Sequence, residues 1–199
     1  PYDIHLAGTD EKFVISTDKY YLNGHTGSFL ISLKHILNGG NAEEIKPKSN
    51  DCGANSFSGH RVDFFNGPDL PGTWCAQILT HAFLKTILMI AQGHSPINIS
   101  GFSRGGALAI CLIREINEFI EALKSPNPTQ DYKPKTKLDG YVTQNYETTL
   151  SKSCTNFKEI LKGFKNNPQI KKRFQDVKIN CLILDPVPGS GWNEEHFKD

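Results

Sequence analysis

The 199-residue chain has almost no surplus of charge: 22 Lys and Arg stand against 21 Asp and Glu. That balance leaves no electrostatic footprint for nucleic acid and no polybasic membrane anchor. No window approaches the ~18 uninterrupted apolar residues of a transmembrane helix. The opening PYDIHLAG lacks the basic start and long apolar core of a signal peptide, and it lacks an initiator Met, so the chain reads as a trimmed one. Cys52, Cys75, Cys111, Cys154 and Cys181 show no C-x-x-C spacing, which argues against a zinc site, and no metal is expected. Five cysteines cannot all pair within one chain, so a reducing compartment is expected. Cys111 and Cys181 lie in apolar runs and read as buried small hydrophobes.

What is present is an ordinary globular balance, 38% apolar and 22% charged, and a length that suits one domain with a sizeable core. YDIHLAGTD reads as a short strand stopped at Gly8. GSFLISLKHILNGG has helical spacing and closes on Asn38-Gly39-Gly40. Residues 41–59 are polar and rich in Gly, Asn and Ser, and read as a loop. RVDFFNGPDLPG is a second strand, broken at Asn66-Gly67-Pro68. WCAQILTHAFLKTILMIAQG is an amphipathic helix ending at Gly93, with Ile78, Leu79, Ala82, Phe83, Thr86, Ile87 and Ile90 along one side. SPINISGF is a third strand, and GGALAICLIREINEFIEALK a long helix stopped by Ser125-Pro126.

Residues 125–177 are rich in Lys, Asn, Thr and Pro and read as a surface insertion or cap with one helix-like piece, CTNFKEILKGF. VKINCLILDPVPGSG then gives a fully apolar strand ending at Asp185. No internal repeat is visible. Strands alternating with helices, two of the strands reading as buried, predict an α/β fold with a mostly parallel sheet covered on both faces.

Gly101-Phe102-Ser103-Arg104-Gly105 fits G-x-S-x-G, the nucleophile elbow, with an apolar strand before it and a long helix after it. The spacing has a mechanical cause. A strained strand-to-helix turn pushes the serine hydroxyl out, and side chains two residues to either side would collide across it. The bland alternative is a serine that caps the helix. A dinucleotide loop is disfavoured, because Ala107 or Ala109 stands where its third glycine belongs and no acidic residue follows at the usual distance.

A nucleophilic Ser103 needs a base and an acid to orient it, in the order Ser, Asp or Glu, His. Asp185, at a strand end, is the expected acid. His196 is the histidine downstream of it, and the expected base is either His196 or a residue beyond Asp199. His5, His60, His81 and His94 precede the serine and break that order, although His5 and His60 lie near strands and can line a pocket. The Arg104 amide is the expected first oxyanion donor, and the Thr9 amide, beside Gly8, the second.

The runs HLAGTD, FFNGPDLPGTW, ISGFSRGGALA and LILDPVPGSG together resemble the uncharacterised α/β-hydrolase domain of type VI secretion phospholipase effectors. Ala7 stands where that family has Asp, and Pro186 where it has Thr. The resemblance implies an α/β-hydrolase-like three-layer sandwich, cut short at its carboxyl end. It implies hydrolysis of a lipid or other acyl ester through an acyl-serine, without metal or cofactor. Gly8, Asn66 and Gly67 would line the substrate site, with transient membrane contact and no nucleic acid. The setting would be cytoplasmic, or that of a bacterial effector delivered without a visible signal peptide. If the substrate is a phospholipid, Arg104 or Lys133, Lys135 and Lys137 can meet its phosphate, although a solvated loop is the preferred reading of those lysines. The rival class is a non-catalytic hydrolase-like binding module of a larger effector.

Overall fold

The computed structural model describes residues 1–10, 12–15, 20–23, 54–57, 62–69, 72, 74–127, 131–138 and 145–187. The strands are β1 (Tyr2–Leu6), β2 (Lys12–Ile15), β3 (Tyr20–Asn23), β4 (Ala54–Phe57), β5 (Val62–Phe65), β6 (Ile97–Phe102) and β7 (Ile179–Leu184). The helices are α1 (Cys75–Ala91), α2 (Arg104–Lys124), α3 (Tyr146–Ser153), α4 (Phe157–Lys165) and α5 (Pro168–Asp176). One sheet has the order β4-β5-β1-β6-β7. Strands β5, β1, β6 and β7 are mutually parallel, and β4 joins antiparallel to β5. A separate antiparallel hairpin pairs β2 with β3.

Period-2 alternation in β1 and β6 sorts the side chains onto two faces. Tyr2, Ile4 and Leu6 share one face with Ile97, Ile99 and Gly101 of β6 and Phe65 of β5, and this face packs with α1 and α2 into the apolar core. On the other face the paired rows are polar. Asn98 Nδ2 donates to Asp3 Oδ1 at 2.6 Å, and Asn180 Nδ2 donates to Asn98 Oδ1 at 2.8 Å. One row further along, His5 Nδ1 is hydrogen-bonded to Ser100 Oγ, both residues being buried.

Helix α1 buries Ile78, Leu79, Ala82, Phe83, Thr86, Ile87 and Ile90, the stripe its spacing predicts. Burying each of the five large apolar side chains among them is worth about 1.5–3 kcal/mol, so this one stripe decides the helix's placement. Residues 125–177, expected as a surface insertion or cap, also feed the core. Their described parts are built into the core: Tyr132, Leu138, Tyr146, Leu150, Leu161 and Phe174 are all buried in it. Tyr132 stacks on Phe83 with ring centroids 5.2 Å apart, and Phe174 meets Phe119 at 5.4 Å. The polar composition belongs to the outer faces of short helices that each contribute one or two apolar anchors.

Three further readings are corrected. Within the stretch 41–59 read as a loop, Ala54–Phe57 form β4, because a ladder of backbone hydrogen bonds to β5 needs no apolar side chains. Strand β7 is an edge strand, not a fully buried one: Leu182 is 42% exposed. For the same reason Cys181 is exposed, whereas Cys111 is buried as expected. The helix expected at 27–40 lies outside the described residues. Among the described residues no helix is long and apolar enough to cross a membrane.

Candidate active site

In a parallel sheet the carboxyl ends of the strands share one rim, and the loops leaving β1, β5, β6 and β7 meet there. Among the described residues, three non-glycine positions have positive φ, and all three lie at this rim: Asp10 after β1 (58°), Ser103 after β6 (52°) and Asp185 after β7 (42°). Each such position costs on the order of 1–3 kcal/mol and persists only where its surroundings enforce it.

At Ser103 those surroundings are the end of β7 and the flanking glycines. Its ψ is −123°, the turn from β6 into α2 is immediate, and its side chain makes no capping hydrogen bond to the helix. The helix-cap reading therefore fails at the one contact it requires. The Ser103 amide donates to the Leu184 carbonyl at 3.0 Å, and the Ser103 carbonyl accepts from the Val187 amide at 3.0 Å. Both peptide groups of the strained residue are thus held by the end of β7. The glycines complete the turn. A Cβ on Gly101 would stand 2.7 Å from the Gly105 carbonyl carbon, and one on Gly105 would stand 2.6 Å from that of Leu6. Gly106, which carries no motif role, leaves room for β7: a Cβ there would meet Ile183 Cγ2 and Pro186 Cα, each at 3.3 Å.

The same contacts locate the other expected residues. The exit of β1 lies against the start of α2 through Leu6, Ala7 and Gly105. Gly8 is buried, Thr9 half-buried and next to it, and a Cβ on Gly67 would come within 2.5 Å of the Gly8 carbonyl carbon. The Asp10 amide donates to the Pro68 carbonyl at 2.8 Å. Gly8, Thr9, Asn66, Gly67, Ser103, Arg104 and Asp185 therefore gather at one rim, drawn from four strand ends. Asp185 is exposed there, on the turn whose Val187 holds Ser103. His196 lies outside the described residues, as does His60.

The remaining histidines and cations lie elsewhere, and the lysines are solvated as preferred. His5 is 1% exposed and hydrogen-bonded to Ser100, one row of the sheet below the rim. His81 stands on α1 and His94 follows it. The Arg104 side chain does not present a cation to a ligand phosphate. It is 7% exposed, and its Nη1 donates to the Asp69 carbonyl at 2.8 Å. Lys133, Lys135 and Lys137 are exposed on a strap held to Glu115, in the twelfth position of α2, well away from its first residue at the rim. Lys135 Nζ pairs there with Glu118 Oε1 at 3.6 Å.

Burial governs the two thiols in the core. Desolvation pushes Cys75, at the first turn of α1, up to about 12, against a smaller downward pull from Arg104. It does the same to Cys111 on α2, where Arg114 supplies the opposing pull. Neither offers a thiolate nucleophile at neutral pH. Among the described residues no group of His, Cys, Asp and Glu is arranged to hold a metal ion.

The chain matches no family profile, no curated sequence and no solved structure.

Proposed function

We propose that the chain is a serine hydrolase with an α/β-hydrolase-like core, cleaving an acyl ester of the lipase, phospholipase or esterase type. The observation that carries the reading is the backbone of Ser103, at φ 52° and ψ −123° between two glycines that admit no Cβ. A serine that only capped or packed would relax to an ordinary conformation; strain retained at a serine that caps nothing supports a nucleophile.

In this reading Ser103 Oγ attacks the ester carbonyl while His196 takes its proton, and Asp185 orients the imidazole. The negative charge on the carbonyl oxygen is received by the amides of Arg104 and Thr9, with the N-terminal end of α2 adding its dipole. Collapse expels the alcohol, protonated by the histidine, and leaves an acyl-serine. Water, deprotonated by the same histidine, then releases the acid. The resemblance to the hydrolase domain of secreted phospholipase effectors supports a lipid ester as substrate, met at a membrane surface. A reducing compartment suits the four described cysteines, all free thiols.

The test is labelling with a fluorophosphonate probe, with and without Ser103→Ala. Stoichiometric modification of the parent chain that disappears in the variant is the expected result. A folded chain, extended past Asp199, that takes no label would point instead to the binding module.

A further inference from the structure

The geometry points to a second task for Arg104: its side chain is a positioning residue that ties the two halves of the oxyanion site together. This rests on the hydrolase reading. The backbone amides expected to receive the oxyanion come from different elements, Arg104 from the start of α2 and Thr9 from the exit of β1. Donors that must act together need their relative placement held to about 0.5 Å; the backbone contact of Gly105 with Leu6 joins the two elements at one point, and the Arg104 side chain adds a second tie.

The strut runs through the loop after β5. The Arg104 guanidinium, buried, donates from Nη1 to the Asp69 carbonyl at 2.8 Å. Asp69 closes the stretch Asn66 to Asp69. In that stretch Gly67 lies so near Gly8 that any Cβ would come within 2.5 Å of the Gly8 carbonyl carbon. The Pro68 carbonyl accepts from the Asp10 amide at 2.8 Å, and the Phe65 carbonyl accepts from the Ala7 amide at 3.1 Å. The residue pair Gly8-Thr9 is thus gripped on both sides by residues 65–68, and the Arg104 side chain holds the end of that loop to α2. A charge-assisted hydrogen bond in a buried site is about twice as strong as a neutral one, which suits a contact that helps to keep two strand exits in register. The backbone of Arg104 and its side chain then serve the same oxygen: one donates to it, the other places its second donor.

Two measurements on the full chain test this, with Arg104→Lys beside Arg104→Ala in case the alanine variant folds poorly. In amide hydrogen exchange, both variants should speed exchange at residues 7–10 and 66–69 while leaving the core of α1 unchanged. Unchanged exchange at residues 7–10 in a folded variant overturns the proposal. In p-nitrophenyl ester hydrolysis, Arg104→Ala should lower kcat on the order of 10²-fold, the effect of losing one oxyanion donor. KM should stay within a few-fold, and Arg104→Lys should recover part of the loss. A parent chain that turns over ester and labels at Ser103, with Arg104→Ala equally fast, overturns this inference and leaves the hydrolase reading standing. A folded chain, extended past Asp199, that neither labels nor turns over sinks the hydrolase reading, and with it the catalytic role given to the strut.

Discussion

Gly105 and Leu6 touch through backbone alone: a Cβ on Gly105 would stand 2.6 Å from the Leu6 carbonyl carbon, closer than real side-chain contacts allow. The start of α2 and the end of β1 share this junction, so it sets how near the elbow comes to the first strand.

Gly105→Ala should therefore disturb the rim before it disturbs the core. The methyl group meets a carbonyl that belongs to the sheet and cannot swing aside. Overpacking of this kind costs about 1–3 kcal/mol. Urea unfolding should show that loss, and fluorophosphonate labelling of Ser103 should slow by a larger factor than a global destabilisation of that size explains.

Ser103→Gly should stabilise the fold while abolishing reactivity. Relief of the positive φ is worth about 1–3 kcal/mol, and glycine's freer unfolded chain takes back roughly 0.5–1 kcal/mol. The net is on the order of 1 kcal/mol, or about 2–4 °C in Tm for a domain of this size. Calorimetry of the two proteins decides it; a lower Tm in the variant would mean the serine carries no strain.

Glu115 holds the strap of residues 131–138. Its Oε1 accepts from the amides of Lys135 (2.9 Å) and Thr136 (2.6 Å), its Oε2 from the Tyr132 hydroxyl, and it is fully buried. Glu115→Ala leaves the buried Thr136 amide without its acceptor, at about 1–3 kcal/mol for a buried unpaired donor, takes the acceptor from the part-buried Lys135 amide, and leaves the Tyr132 hydroxyl the Tyr146 hydroxyl at 3.2 Å; it should destabilise by about 2 kcal/mol or more. Glu115→Gln keeps an acceptor for the two amides and should lose about 1 kcal/mol. Denaturant midpoints measure both.

Cys75 and Cys111 should resist a maleimide at pH 8 in the native chain, while the exposed Cys181 reacts. Both buried thiols hold their proton to about 12, against 9.0 when exposed, and burial raises Tyr2, Tyr132 and Tyr146 as well. The folded chain binds these protons more tightly than the unfolded one. Their contribution to stability is therefore complete below pH 9 and is lost as pH climbs toward 12, at up to about 1.4 kcal/mol per pH unit for each group. Unfolding free energies measured at pH 8, 9 and 10 should decline with increasing slope.

Where local pattern and tertiary need coincide, the sequence was readable. Strands β1, β5 and β6, helices α1 and α2 and the glycine-flanked Ser103 all lie where spacing and breakers put them. The failures have one cause, dependence on partners far along the chain. Helix α5 buries only Phe174 among nine residues, too little for a period, though Asn167 and Pro168 at its start are a legible cap. The run from Ile179 to Leu184 is apolar enough for a central strand, and only the strand order makes it an edge. The grip of Arg104 on Asp69 spans 35 positions, which no local reading can see.

Helix α2 is 21 residues long, about 30 Å. Ser103, the proposed nucleophile, stands immediately before its first turn, while Phe119 in its last turns anchors an aromatic cluster with Tyr132, Phe157, Phe164 and Phe174. The proposed chemistry and the cohesion therefore occupy opposite poles of a single rod. Selection can rework what the near pole accepts while the far pole keeps a reserve of stability, so altered specificity and fold failure should arise from separate sets of mutations.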